Sequence, residues 1–235
     1  MPAEIIPRQS VVDVLEHRLR EDILDGTHGP GSMLPPEREL AAGYGVTRTT
    51  LKHALSRLEQ ASLLHTRHGI GTRVRDFRRE GGADLLPMLA AHDSGWLTEV
   101  FEVRRHIGAL IARCAATHRT TRQARRLQEL LQAVAQAPDG DTAQLADIEV
   151  HRELARATGN RVYLLLTNSL FNAYLSVRST LRAPFEDPAV AADRLAPVVQ
   201  AVFDGLPDEA DRAADRYLRT TEKIMICSLE TDDAP

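Results

Sequence analysis

The stretch Leu34-Pro35-Pro36-Glu37-Arg38-Glu39-Leu40, followed by Tyr44-Gly45-Val46-Thr47-Arg48-Thr49-Thr50-Leu51 and then by Arg67-His68-Gly69-Ile70-Gly71-Thr72, decides the fold. Proline suits a first helical turn, and Glu37 and Glu39 complement the positive end of a helix, so a short helix opens at Pro35-Pro36 and ends near Gly43-Tyr44-Gly45. Thr47 is a natural N-cap, and Leu51, Leu55 and Leu58 recur at helical spacing, which predicts a second helix from Thr47 to Ala61. Two extended runs follow, Leu63 to Arg67 and Thr72 to Arg75, joined by His68-Gly69-Ile70-Gly71, whose glycines supply the turn. Upstream, Ser10 and Asp13 have capping-box spacing, and Val11, Val14, Leu15, Leu19 and Ile23 form one stripe of a helix from Ser10 to Asp25. Three helices and a basic hairpin in this order predict a winged helix-turn-helix.

Charge concentrates on the same region. The chain of 235 residues carries a net charge of −4, yet residues 44–79 hold eight basic side chains against only Glu59 and Asp76, a net of +6. Such a segment on an acidic chain is the footprint of a polyanion partner, or simply a solvated charged face. Arg48 lies in the first turn of its helix, the end that a helix-turn-helix pushes into the major groove, where a guanidinium can fork onto guanine O6 and N7. The hydroxyls of Thr47, Thr49 and Thr50, with the free N–H groups of the helix start, suit phosphate. The hairpin tip at His68-Gly69 has little bulk and can approach a groove closely.

Composition excludes other classes. Two cysteines, Cys114 and Cys227, make no disulfide framework and no four-cysteine zinc site. The longest apolar run, Leu85 to Ala91, contains Pro87 and falls far below the roughly 18 residues of a membrane span. Met1-Pro2-Ala3-Glu4 does not open a signal peptide, so a cytoplasmic protein is expected.

After Gly81-Gly82 every segment has helical periodicity: Asp84 to Ala91, Leu97 to His118, Thr121 to Gln136, Thr142 to Thr158, Arg161 to Arg182, Pro188 to Asp204 and Pro207 to Glu230. The expected division is a winged domain over 1–78, a linker over 79–83, and an all-α antiparallel bundle over 84–235. Polar residues fall in phase with the apolar stripes of this bundle. Arg104 shares a face with Leu97, Val100, Ile107, Ile111 and Cys114; Asp147 and His151 accompany Ile148 and Ala155. Asn168 accompanies Leu164, Phe171 and Leu175, and Tyr217 accompanies Ala210, Ala213 and Ile224. A buried arginine needs an anion, so polar groups aimed inward from separate helices predict a ligand cavity. The plainer alternative pairs Arg104 with Asp147 and satisfies His151 within the core.

Pro30-Gly31, Leu34 to Leu40, Tyr44 to Leu51 and Arg67 to Thr72 resemble the DNA-binding signature of the GntR family of bacterial transcription regulators. The resemblance covers about Ile23 to Val74. It implies a homodimer on double-stranded, pseudo-palindromic operator DNA. Arg38, Arg48 and Lys52 would take base or backbone contacts, Thr47, Thr49 and Thr50 the phosphates, and His68 and Gly69 the minor groove. The second half resembles the all-helical effector domain of the FadR branch through Asp147-Ile148-Glu149-Val150-His151 and Ala157-Thr158-Gly159-Asn160. That likeness implies that Arg104 faces the anionic group of the effector. Many relatives bind a divalent metal with that Asp, that His and two later histidines, whose positions hold Leu195 and Tyr217 here. Neither replaces imidazole as a ligand, so no metal is expected. The likeness is closer to the fatty-acid-responsive regulators, which implies an acyl-CoA effector, with Phe171, Tyr174 and Tyr217 suited to its chain. Two other readings stay open: a metal-dependent, carboxylate-sensing regulator and a metal-assisted enzyme, both built on Asp147 and His151.

Overall fold

The computed structural model describes residues 10–232, so the reading of Met1 to Glu4 lies outside the described residues. The chain divides between Leu85 and Leu86 into two compact units. The first is a winged helix-turn-helix. Helix α1 (Val11–Leu24) starts at a capping box in which Ser10 and Asp13 satisfy each other's backbone N–H groups. Its buried face is Leu15, Leu19 and Ile23, whereas Val11 and Val14 are exposed, so the inward stripe is shorter than the sequence pattern. Helix α2 (Glu37–Gly43) follows Pro36, and α3 (Arg48–Gln60) is capped by the Thr47 hydroxyl, which accepts from the Thr50 N–H at 3.2 Å. Between them Gly45 takes φ +66°, a left-handed conformation that a side chain would strain. Leu51, Ala54, Leu55 and Leu58 of α3 are buried against α1 and α2. From the outer face of α3, Arg57 reaches Asp13 at 2.6 Å and Glu16 at 3.2 Å, and this holds the Asp13 carboxyl at a pKa of about 2.

The wing pairs β1 (Leu64–Arg67) with β2 (Gly71–Val74), antiparallel, with Leu64 opposite Val74 and Arg67 opposite Gly71. A third extended segment lies on the other edge of β2. The Val74 N–H donates to the Ser32 carbonyl, and the Leu34 N–H donates to the Thr72 carbonyl at 2.8 Å. The sequence pattern did not indicate this segment. It covers the edge of β2 that a two-stranded ribbon would leave open. Residues 79–83, read as linker, are partly ordered: Asp76 caps the single-turn α4 (Phe77–Glu80), and Glu80 pairs with Arg73 at 3.0 Å and Arg75 at 3.3 Å. A 3-10 turn follows at Ala83–Leu85.

The second unit is all-helical: α5 (Leu86–His92), α6 (Ser94–His118), α7 (Thr121–Ala135), α8 (Gly140–Ala157), α9 (Arg161–Ser176), α10 (Pro188–Asp204) and α11 (Pro207–Asp232). Each break carries a stop or cap chosen by chemistry. Thr120 and Gln123 form a capping box for α7; Asp139, Asn160 and Asp187 cap α8, α9 and α10; Gly205 ends α10 with φ +73°. Helix α6 packs along α11 and against α8, and α9 packs on α5 and α8. Phe101, Ala112, Ile148, Leu154, Phe171, Leu195, Val198 and Leu218 are among the buried side chains of this core. The periodic run Arg161 to Arg182 is not one helix. It stops at Ser176 and continues as two 3-10 turns, Arg178–Leu181 and Ala183–Phe185. The buried amide of Gln144 donates to the Arg178 carbonyl at 3.1 Å and lies 3.4 Å from that of Leu181, so backbone groups that a longer helix would pair internally are satisfied from α8.

Candidate functional site

Two sites emerge, one in each unit. In the first unit, the start of α3 and the wing border an open groove lined by Glu37, Arg38, Arg48, Thr66, Arg67, His68, Gly69 and Ile70. Arg38, Thr47, Arg48, Thr49, Lys52, His68 and Gly69 are all exposed, and Thr50 is half-buried. The hydroxyls differ in their freedom. Thr47 is engaged as the N-cap and lies 2.9 Å from the Thr50 hydroxyl, while exposed Thr49 projects beside Arg48. Glu37, which the sequence reading did not assign to the site, sits between two of the cations. Its Oε2 lies 3.4 Å from an Arg48 nitrogen and 3.7 Å from the Lys52 ammonium. Both contacts are long and solvated, so they orient the side chains rather than bind them tightly.

In the second unit, α6, α8, α9 and α11 enclose a small cavity lined by Arg104, Ile107, Gly108, Ile111, His151, Thr167, Leu170, Phe171 and Leu218. Its free volume is about 30 Å³, space for about two waters. Gly108 lets α6 and α11 approach; a Cβ there would lie 2.5 Å from the Leu218 Cδ1. Three buried polar atoms on the cavity lining have no hydrogen-bond partner: Arg104 Nε, His151 Nε2 and Thr167 Oγ1. Arg104 is 6% exposed, and its guanidinium lies over the rings of Phe171 and Tyr174, 5.7 Å from each centroid. Among the described residues it forms no ion pair. The alternative in which Asp147 neutralises it directly is therefore not what the structure adopts. Asp147 instead accepts from the buried Tyr217 hydroxyl, and its other oxygen lies 3.6 Å from His151 Nε2. Tyr174 takes its hydroxyl contact from Gln144.

Asn168 departs from its expected place. It is half-buried and accepts from Arg152 Nε at 3.2 Å, away from the cavity. The inward face of α9 is rotated by one residue, so Thr167 stands on the cavity wall where Asn168 was expected. Of the predicted effector residues, Arg104, His151 and Phe171 line the cavity; Tyr174, Asp147 and Tyr217 stand behind them as supports. Gln144, fully buried, was not singled out from the sequence, although it lies seven residues before His151 and so two turns away on the same face.

The donor set does not fit a metal. Of the four positions used by metal-binding relatives, Leu195 is an apolar core residue, and the Tyr217 hydroxyl already occupies one oxygen of Asp147. Among the described residues, no three His, Cys, Asp or Glu side chains come together. A site with one His and one carboxylate already hydrogen-bonded lacks the ligands a divalent ion requires. Burial lowers the His151 pKa to about 4; the nearby Arg104 charge acts in the same direction, and Asp147 opposes it. The ring is thus neutral at neutral pH. Burial, and then the Asp147 charge, push the Tyr217 phenol well up.

The sign of a pH effect follows. The unfolded chain protonates the His151 ring below about pH 6.5, the folded chain only near pH 4. The stability linked to neutral His151 is complete above pH 6.5 and falls away as the pH drops toward 4, by about 3 kcal/mol. Melting curves between pH 7.5 and 4.5 are expected to show a shallower pH dependence for His151→Gln than for the wild type. Identical slopes would mean that the ring is solvated.

Residues 12–74 match the bacterial regulatory proteins of the gntR family, and residues 99–220 match the FCD domain. The chain belongs to the GntR family of bacterial regulators. Among its relatives, the HTH-type transcriptional regulator Rv0494 of Mycobacterium tuberculosis is 34% identical over 94% of this chain and 92% of that protein. The Fatty acid metabolism regulator protein of Serratia proteamaculans is 34% identical over 74% of this chain and 73% of its own. Mce2R of M. tuberculosis is 29% identical over 97% of both. Among solved structures, Lar, which controls the expression of the Listeria monocytogenes agr system, has a TM-score of 0.58 at 15% identity, covering 96% of this chain and 99% of that one. E. coli McbR/YncC has a TM-score of 0.51 at 17% identity, covering 94% and 99%. These two likenesses concern the fold. As a GntR member with an FCD domain, the chain is a DNA-binding transcriptional regulator with an effector-binding domain, and not an enzyme. No helix among the described residues is long and apolar enough to cross a membrane.

Proposed function

We propose that this GntR regulator acts in the cytoplasm as a homodimer on a pseudo-palindromic operator and releases it when an anionic effector, a fatty acyl-CoA or related lipid, enters the cavity at Arg104. The observation that carries the effector site is Arg104, buried with no ion pair among the described residues and with its Nε lacking a hydrogen-bond partner, because a buried cation without an anion is costly. His151 and Thr167 add two further unpaired polar groups on the same cavity wall, and the aromatic ring of Phe171 with Leu170 and Leu218 supplies an apolar surface. The choice of a lipid is supported by the relatives named Fatty acid metabolism regulator protein. The cavity is far smaller than an acyl chain, so binding must part α6, α9 and α11, and a ligand that favours the parted state shifts the whole dimer toward it.

At the operator, Arg38, Arg48 and Lys52 take base edges or backbone, Thr47, Thr49 and Thr50 the phosphates, and His68 and Gly69 the minor groove, with half-sites spaced to suit the two-fold dimer. The test is a titration of the purified protein onto a duplex that it selects from a random pool, with and without oleoyl-CoA. Affinity should fall steeply with salt, since phosphate contacts release counterions, and should fall further with oleoyl-CoA. Binding that ignores salt would contradict the DNA contacts, and binding that ignores oleoyl-CoA would contradict the choice of effector.

A further inference from the structure

The tip of the wing carries an apolar side chain that the fold does not use. Ile70 is 69% exposed, more than the other large exposed hydrophobic residues of the described chain. It sits between Gly69 (φ +75°) and Gly71 (φ +128°), and its N–H donates to the Arg67 carbonyl at 3.1 Å, so the backbone beneath it is a closed turn. A β-branched residue is a poor choice for a solvated turn, where small polar residues satisfy the backbone better. Beside it lies a second exposed apolar side chain, Met33, 49% exposed, whose Cε sits so close to Gly71 that a Cβ there would come within 2.9 Å. Together they line a cleft with His65, Arg67 and Arg73. Arg73 is fixed there by Glu80. An apolar ridge edged by cations complements a deoxyribose wall edged by phosphates.

We infer that Ile70, backed by Met33, is a wedge with which the wing packs against the sugar walls of the minor groove. The wing then contributes affinity that does not depend on ion release and that favours a duplex shaped to receive it. This inference rests on the DNA interface proposed above. The test uses the full chain and a duplex selected by the wild type, with affinity measured by fluorescence anisotropy from 50 to 300 mM KCl. Ile70→Ala should bind about tenfold more weakly at every salt concentration, with the log–log salt slope unchanged, because the contact it loses is apolar and releases no ions. Ile70→Lys should bind with a slope steeper by about 0.9 for each phosphate contact it adds. The inference is overturned if Ile70→Ala binds as the wild type does, or if its deficit disappears at high salt. Arg48→Ala separates the two levels. A normal affinity for that variant would bring down the DNA interface itself, whereas a normal affinity for Ile70→Ala alone removes only the wedge.

Discussion

Arg104→Met is expected to leave the melting temperature of the unliganded protein unchanged or raised, while abolishing its stabilisation by effector. The two halves of this result pull apart a structural arginine from a functional one. A guanidinium in a buried ion pair holds its domain together, and its removal costs about 3–5 kcal/mol. Arg104 is buried but makes no ion pair among the described residues, and its Nε has no hydrogen-bond partner. What it loses on substitution is mainly the contact with the Phe171 and Tyr174 rings, which the methionine side chain partly restores. The wild type at 100 times the Kd for effector should gain about 2.7 kcal/mol, or roughly 5–10 °C for a domain of this size. The variant should gain nothing. A drop of 10 °C in the unliganded variant would instead identify Arg104 as a structural cation and remove the reason to place an effector beside it.

The second large effect belongs to Arg48. Its side chain is 63% exposed and touches Glu37 only at 3.4 Å, so Arg48→Ala should leave the melting curve in place. A forked pair with guanine is worth roughly 1–3 kcal/mol, and a dimer presents it twice, so operator affinity should fall by at least about thirtyfold. Binding to unselected duplex, which depends on phosphate contacts, should fall much less. The ratio of the two affinities is the quantity to measure; a uniform loss on both duplexes would make Arg48 a phosphate contact.

How far the sequence foretold this molecule depends on where the deciding information lies. The winged domain was legible because its punctuation is local: Pro36 before α2, Gly45 at the positive-φ turn, Thr47 capping α3, and two glycines at the wing tip. The third extended segment was not, because residues 31–34 have no alternating pattern and gain their pairing from β2, forty residues away. Arg104 was visible as a charge inside an apolar stripe. Asn168 was misplaced for a geometric reason: neighbouring helical residues differ by 100°, and an apolar run as continuous as Val162 to Leu166 does not fix the phase closely enough to choose between Asn168 and Thr167. The end of α9 at Ser176 was hidden because a group that satisfies the chain beyond it, the Gln144 amide on the Arg178 carbonyl, lies on another helix. Arg57 read as one more cation of the basic segment, yet it pairs with Asp13 and Glu16 of α1, which spends part of that charge on the fold.

The most direct experiment compares wild type and Arg104→Met on one selected operator duplex, with oleoyl-CoA added to each. Wild-type affinity should fall at least about tenfold, which corresponds to a coupling of about 1.4 kcal/mol between the two sites, while the variant should hold the DNA as tightly as unliganded wild type at every concentration. If the variant lets go of the DNA at the same oleoyl-CoA concentration as the wild type, the cavity at Arg104 is not where this regulator senses its effector.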